Sequence, residues 1–199
     1  MPKLSWIVGS FNRPGRMRTC LASILDQSFQ DFDIVVTDNS DDKACRLDIE
    51  YLCQIDPRIR YEWTHDRAMT NTPYPSLYDA AEIGVRMTDS PWLIFPNCDS
   101  YYSPRFSEHL LRLAEQNNLQ FVVCNFVHGR DNVPYLPKEA HPAICCCDKT
   151  ACLFRREIFP AEWPGKVDRY PVADGVLAEQ LVRSGIRWGR FNPYMVMHN

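Results

Sequence analysis

A few side chains stand where a chain of this kind can do chemistry. Asp38 follows the apolar run Asp33–Thr37, and Asp99 follows the run Pro91–Phe95 and a short Pro96-Asn97-Cys98 turn. In open α/β sheets ligands bind beyond the carboxyl ends of strands, so two carboxylates at such ends are placed to meet one ligand together. A carboxylate there suits a hard divalent cation such as Mn²⁺ or Mg²⁺, which takes oxygen ligands and bridges to a substrate's phosphates. The competing role for either is a turn residue bonding its own backbone; for Asp38 this is an Asx turn with Ser40. Asp174 lies where Val172-Ala173-Asp174-Gly175 turns into a helical pattern, a place for a general base or for an ordinary N-cap. Gly175 beside it leaves room for a second reactant to approach. His198 offers an imidazole, a frequent metal ligand, close to the end of the sequence, where fraying competes.

Other arrangements carry less. Gly9 and Gly15 are spaced wrongly for a phosphate-binding loop, and no Rossmann glycine pattern is present. A nucleotide's diphosphate would therefore need a metal or basic side chains. Cys145-Cys146-Cys147, with His141 and Cys152 nearby, has zinc-ligand chemistry without zinc-ligand spacing, because three adjacent strand residues cannot face one ion. These cysteines read as buried free thiols acting as small hydrophobes. Arg155, Arg156, Arg183, Arg187 and Arg190 read as a solvated face, with one or two able to meet a phosphate or an anionic acceptor.

The elements that must position these groups follow from periodicity. Leu4–Val8 is a short apolar strand, Gly9–Pro14 a breaker-rich turn, and Arg16–Gln27 a helix with Met17, Cys20, Leu21, Ile24 and Leu25 on one face. With the strand Asp33–Thr37 they form a parallel βαβ unit. The theme repeats as helix Lys43–Ile55, strand Arg60–Trp63, loop Thr64–Ser76, helix Leu77–Met87 and strand Pro91–Phe95. The second half reads as helix Pro104–Gln116, strand Leu119–Cys124 and a long loop Asn125–Ile144. A strand Thr150–Phe154, a helix Asp174–Ser184 and a last strand Ile186–Phe191 before an Asn192-Pro193 turn complete it. The fold class is α/β: one domain over 1–199, with a mostly parallel central sheet flanked by helices. Residues 1–102 form a nucleotide-binding half and residues 103–199 an acceptor and catalytic half.

Composition narrows the classes of function. The chain has 199 residues, 45% hydrophobic and 24% charged, which fits one globular domain. Its net charge of −3 provides no global basic field, so a nucleic-acid acceptor has only local patches to support it. No apolar stretch approaches the roughly 20 residues of a membrane span, and the amino-terminal residues hold no signal-peptide core. Nine cysteines, an odd number, fit reduced thiols and a cytoplasmic location better than a disulfide framework.

Ser5-Trp6-Ile7-Val8-Gly9-Ser10-Phe11-Asn12-Arg13, Leu25-Asp26-Gln27-Ser28-Phe29 and Phe32–Ser40 together resemble the opening of family-2 nucleotide-sugar glycosyltransferases. Trp92–Tyr102 resembles that family's strand into an Asp-x-Asp motif, Cys152–Phe159 its central strand, Asp174–Gly185 its catalytic helix and His198 its late histidine. Asn97 stands in place of the first motif acid, Ala173 in place of a Glu, and Ala81-Glu82 in place of an Arg-Asn pair. The resemblance implies a glycosyltransferase-A fold and metal-dependent, inverting transfer from a nucleoside-diphosphate sugar, a UDP-sugar first among them. The acceptor would be a glycan or another hydroxyl-bearing molecule. Implied roles are Asp99 and His198 for Mn²⁺ or Mg²⁺, with Phe11, Arg13, Asp38 and Asp99 around the nucleotide and Asp174 as catalytic base. A non-catalytic sugar-nucleotide or glycan-binding module of the same fold is the alternative that the missing acids leave open.

Overall fold

Parallel strands from the first part of the chain build the half of the sheet that carries the nucleotide-side residues. The computed structural model describes residues 1–64, 77–130, 133–164 and 172–198. Strand β1 (Leu4–Ser10) pairs in parallel with β2 (Phe32–Asp38), and β2 with β3 (Ile59–Trp63). Helices α1 (Pro14–Leu25) and α2 (Lys43–Cys53) make the two crossovers. All of β1 and nearly all of β2 is buried, as parallel strands covered on both faces require. Pro14 opens α1, where a missing N–H costs nothing, and Met17, Cys20, Leu21 and Ile24 are its buried face.

Helix α3 (Leu77–Arg86) lies on β1 and β2 and leads to β4 (Trp92–Ile94), which joins β1 in parallel. A Cβ at Gly84 would meet Ile7 Cγ2 at 2.3 Å, so glycine permits this close approach of helix to sheet. The loop expected over Thr64–Ser76 lies, past Thr64, outside the described residues.

The remaining elements are β5 (Ser100–Tyr102), α4 (Phe106–Gln116), β6 (Phe121–Arg130), β7 (Val133–Lys138), β8 (Cys152–Arg155), α5 (Ala173–Arg183) and β9 (Trp188–His198). The sheet order is β3-β2-β1-β4-β8-β6-β9-β5, with β7 on β6. The expected parallel sheet flanked by helices is present, and β5, β7 and β8 add antiparallel pairings in its second half. One large core cluster includes Trp6, Phe95, Phe106, Phe121, Phe154 and Trp163. Among the described residues no helix is long and apolar enough to cross a membrane.

Four expectations need correction. The long loop over 125–144 is mostly taken up by the antiparallel strands β6 and β7; Pro134 and Pro137 argue against a strand but are tolerated because β7, among the described residues, pairs only with β6. The Asn192-Pro193 turn is an irregularity within β9. The register against β6 shifts between Cys124 and Phe126, where Cys124 Sγ and Asn125 Nδ2 bond the Pro193 and Asn192 carbonyls. The strand therefore continues to His198. Thr150 and Ala151, expected to open the strand, belong to a 3₁₀ turn Lys149–Ala151 ahead of β8. Finally, Cys145 and Cys146 are exposed in a turn, with Cys145 at φ 66°, so they are not buried hydrophobes. Only Cys147 of the three is half-buried; its Sγ lies 3.4 Å from that of Cys152, and all nine cysteines are free.

Candidate active site

Three strand ends are tied together by the loops that follow them. Past β1, Asn12 adopts φ 50°, a left-handed conformation in which Asn is enriched. Its N–H donates to Ser40 Oγ at 2.8 Å, and its Oδ1 accepts from the Asp42 N–H at 3.2 Å. The β1 loop is thereby fastened to the β2 loop. On its other side, the Gly9 N–H donates to the Pro96 carbonyl at 3.0 Å and the Cys98 N–H to the Gly9 carbonyl at 2.9 Å. Phe11, Arg13, Asp38 and Asp99 thus gather at the carboxyl ends of β1, β2 and β4, as expected for a ligand crevice.

Asp99 is 4% exposed. Its Oδ2 accepts from Arg13 at 2.6 Å, with Arg16 at 3.7 Å, while its Oδ1 is buried and has no hydrogen-bond partner among the described residues. That oxygen faces Nε2 of His198 at 3.6 Å. Burial pushes the Asp99 carboxyl up, but His198 and Arg13 outweigh it and hold it below the usual range. Far from fraying, His198 pairs with Ser100 across β9 and β5, which brings the imidazole to Asp99.

The short segment Asp148–Thr150 joins this acid to the second half. Asp148 caps the 3₁₀ turn: its Oδ1 accepts from the Thr150 N–H at 2.9 Å and Oγ1 at 2.8 Å, and its Oδ2 meets His198 Nδ1 at 2.5 Å. Burial opposes the Asp148 charge, yet His198, Lys149 and the Thr150 N–H keep its carboxyl well below the ordinary value. Burial also works against a charged imidazole, but Asp148 and Asp99 raise His198 to about 10. Lys149 is buried at 4% exposure, and its ammonium bonds Asn97 Oδ1. Its backbone N–H donates to Asp174 Oδ2 at 2.9 Å.

Asp174 is not the N-cap of α5; Val172 occupies that position, and no side chain caps the helix. Its Oδ1 is buried with no hydrogen-bond partner among the described residues. Burial, with Asp148 adding to it, raises the Asp174 carboxyl to about 6 against the opposing Lys149 charge and N–H and the Tyr78 hydroxyl. Such a group accepts a proton near neutrality, which suits a general base. The space expected at Gly175 is filled. A Cβ there would stand 2.5 Å from Ile144 Cα, so this glycine admits the 141–147 turn against the helix rather than a reactant.

Asp99, Arg13, His198 and Asp174 are therefore linked through Asn97, Asp148 and Lys149. Asp38 belongs to a neighbouring network: it is fully buried, its Oδ1 accepting from Ser40 at 2.6 Å and its Oδ2 from the Tyr61 hydroxyl at 3.0 Å. Burial raises its pKa, and these hydrogen bonds moderate the rise. Phe11 is half-buried, in the loop after β1, and lies outside the core cluster. Reading by residue type misses Asp148 and Lys149 altogether. The available signal was Asp148 two residues before Thr150, a capping spacing at the head of a strand.

The chain spans about two fifths of the length of the first curated relatives it matches. The uncharacterized glycosyltransferase EpsJ of Bacillus subtilis is 27% identical over 141 residues, 70% of this chain and 38% of that protein. The GalNAc(5)-diNAcBac-PP-undecaprenol beta-1,3-glucosyltransferase of Campylobacter jejuni is 38% identical over 61 residues, 31% of this chain and 20% of that protein. Among solved structures, S. aureus TarS 1-349 in complex with UDP-GlcNAc superposes with a TM-score of 0.74 at 12% identity, covering 98% of this chain and 58% of that one. The mannosyltransferase PcManGT of Pyrobaculum calidifontis, in complex with GDP-Man and Mn²⁺, gives 0.73 at 15% identity, covering 99% and 56%. These likenesses establish the glycosyltransferase-A fold. The sequence pattern of glycosyl transferase family 2 matches residues 5–159, most of the sheet and the crevice above it, and the chain belongs to that family.

Proposed function

We propose that the chain transfers a glycosyl group from a nucleoside-diphosphate sugar to an acceptor hydroxyl, with inversion, using Mn²⁺ or Mg²⁺ held by Asp99 and His198. The observation that carries this reading is the buried, unpartnered Asp99 Oδ1 facing His198 Nε2 at 3.6 Å. Two ligands each about 2.1 Å from one ion stand about 3.0–3.6 Å apart for ordinary bond angles, so the pair fits a cation. An imidazole favours Mn²⁺ over Mg²⁺. Bound there, the cation would supply positive charge to the leaving diphosphate.

The chain's own groups do the rest. Arg13 and Arg16 border Asp99 and are placed to meet the diphosphate once a cation takes over the carboxylate. Phe11 offers a face for the base, and Asp38, braced by Ser40 and Tyr61, keeps acceptor capacity for base or ribose. Asp174 takes the acceptor hydroxyl's proton. The complexes of TarS with UDP-GlcNAc and of PcManGT with GDP-Man and Mn²⁺ support a nucleotide-sugar donor and a divalent ion.

A thermal-shift panel of UDP- and GDP-sugars, with and without Mn²⁺, tests donor and metal together. A ligand at 100 times its dissociation constant adds about 2.7 kcal/mol of stability. At least one nucleotide sugar should raise the melting temperature only when Mn²⁺ is present. Shifts that are identical with EDTA would remove the metal from the reading.

A further inference from the structure

We infer that Asp148 is a positioning residue that sets the tautomer of His198, turning its Nε2 lone pair toward the cation beside Asp99. The inference rests on the metal reading above and adds a residue to it. Each ring nitrogen of His198 has one distinct neighbourhood. Nδ1 lies 2.5 Å from Asp148 Oδ2, while Nε2 lies 3.1 Å from Asn97 Nδ2 and 3.6 Å from Asp99 Oδ1. A carboxylate only accepts, so Nδ1 must carry the hydrogen. The amide of Asn97 agrees: the Lys149 ammonium holds its Oδ1, which turns the Nδ2 donor toward Nε2. The geometry thus puts the hydrogen that stays with the ring on Nδ1 and leaves Nε2, which faces Asp99 and Asn97, as the nitrogen to bind the cation.

Asp148 is suited to the task because it cannot turn away. Its other oxygen is held by both donors of Thr150, and the residue is 8% exposed. His128, on the strand beside His198, stands edge-on to its ring at 5.2 Å. Donor atoms of His128, Asp148 and His198 lie within 4.8 Å of one another, which suggests a second cation position. The 2.5 Å contact argues against it, because two ligands of one ion are about 3 Å apart or more. The contact is a hydrogen bond, and the arrangement is a carboxylate–histidine–metal relay, in which the outer carboxylate orients the ligand. Where Asn97 removes an acid from the crevice, Asp148 returns a negative charge one step behind the metal ligand.

The geometry makes Asp148→Asn informative. Thr150 donates two hydrogen bonds to one side of residue 148, so the amide oxygen must take that side and its NH₂ must face His198. The ring then protonates at Nε2, pointing a hydrogen at the cation position. Mn²⁺ affinity of the whole chain, measured with the metal alone by calorimetry, should fall about 10–100-fold, the usual cost of losing such a partner. Thr150→Val disturbs the same turn without touching His198 and should keep Mn²⁺ affinity within about threefold. Nitrogen-15 spectra of the unmutated chain with Mg²⁺ provide a test that needs no variant: His198 should carry its hydrogen on Nδ1. An equal loss in Thr150→Val or undiminished affinity in Asp148→Asn would each overturn the inference while leaving the metal site standing; a hydrogen on Nε2 with Mg²⁺ bound would overturn both. If the unmutated chain binds no Mn²⁺, the metal reading itself fails, and this inference with it.

Discussion

Asp174 is a carboxylate whose usefulness and cost have the same cause. Burial first, and Asp148 second, raise it to about 6. As the base it must be ionised, so kcat/KM should fall as pH drops through about 6, measured across pH 5–8. Asp174→Asn removes the basic oxygen while nearly preserving shape, and turnover should drop by roughly 10²–10⁴ with donor affinity unchanged. The stability effect has the opposite sign. Because the folded pKa lies above the unfolded one, the folded chain holds the extra proton between about pH 4 and 6, and Asp174 loses stability as pH rises through that window. Asp174→Asn should therefore melt higher than the unmutated chain at pH 8. A variant that is both slower and less stable would speak for a structural carboxylate. At this scale the sequence offers Asp99 and Asp174 as candidates because they are acids near strand and helix ends, and His198 because the family resemblance outweighs the fraying expected near a terminus. Asp148 and Lys149 were not legible, because their importance comes from what a 3₁₀ turn brings beside them from residues 97, 174 and 198.

Elements position the site through a few buried polar and backbone contacts. Gln27, 1% exposed, follows α1 and stitches it to the next layer. Its Oε1 accepts from the Ser107 N–H at 3.0 Å and Oγ at 2.9 Å, and its Nε2 donates to the Ser103 carbonyl at 2.8 Å. Gln27→Ala strands these groups and should cost about 2–3 kcal/mol in urea unfolding, with donor affinity unaltered. Gly175→Ala forces a methyl onto the Ile144 backbone, an overpacking that should cost about 1–3 kcal/mol and, by shifting the start of α5, slow turnover as well. Full activity in that variant would show that the 141–147 turn has no part in placing Asp174. The first-half elements were readable because parallel strands buried on both faces are continuous apolar runs and α1 has a plain helical stripe. Two of the second-half errors, the 125–144 loop and the Asn192-Pro193 turn, share one source. Pro134, Pro137 and Pro193 look like breaks, but at a sheet edge or a register shift a proline removes no needed hydrogen bond. Reading β9 past Pro193 is what brings His198 to the site.

For the molecule as a whole, the nucleotide-binding half proposed for 1–102 and the catalytic half proposed for 103–199 share one sheet, since β8 pairs with β4 and β9 with β5. Strands exchanged in this way should unfold together: calorimetry should give one transition, and residues 1–102 alone should stay unfolded. The crevice likewise draws on both halves, with Asp99 from the first and Asp148, Asp174 and His198 from the second. In the proposed reaction this shared crevice uses a cation at Asp99 to release a nucleoside diphosphate from its sugar. The direct measurement is calorimetric titration of UDP and GDP into the unmutated chain and into Asp99→Ala, each with Mn²⁺ and with EDTA, followed by assay of diphosphate release from the sugar nucleotide of the better-bound base. Mn²⁺-dependent binding and release in the unmutated chain, both abolished in Asp99→Ala, is the predicted result. Nucleotide affinity unchanged by Asp99→Ala, or tight binding with no release in the presence of Mn²⁺ and acceptor sugars, would contradict it.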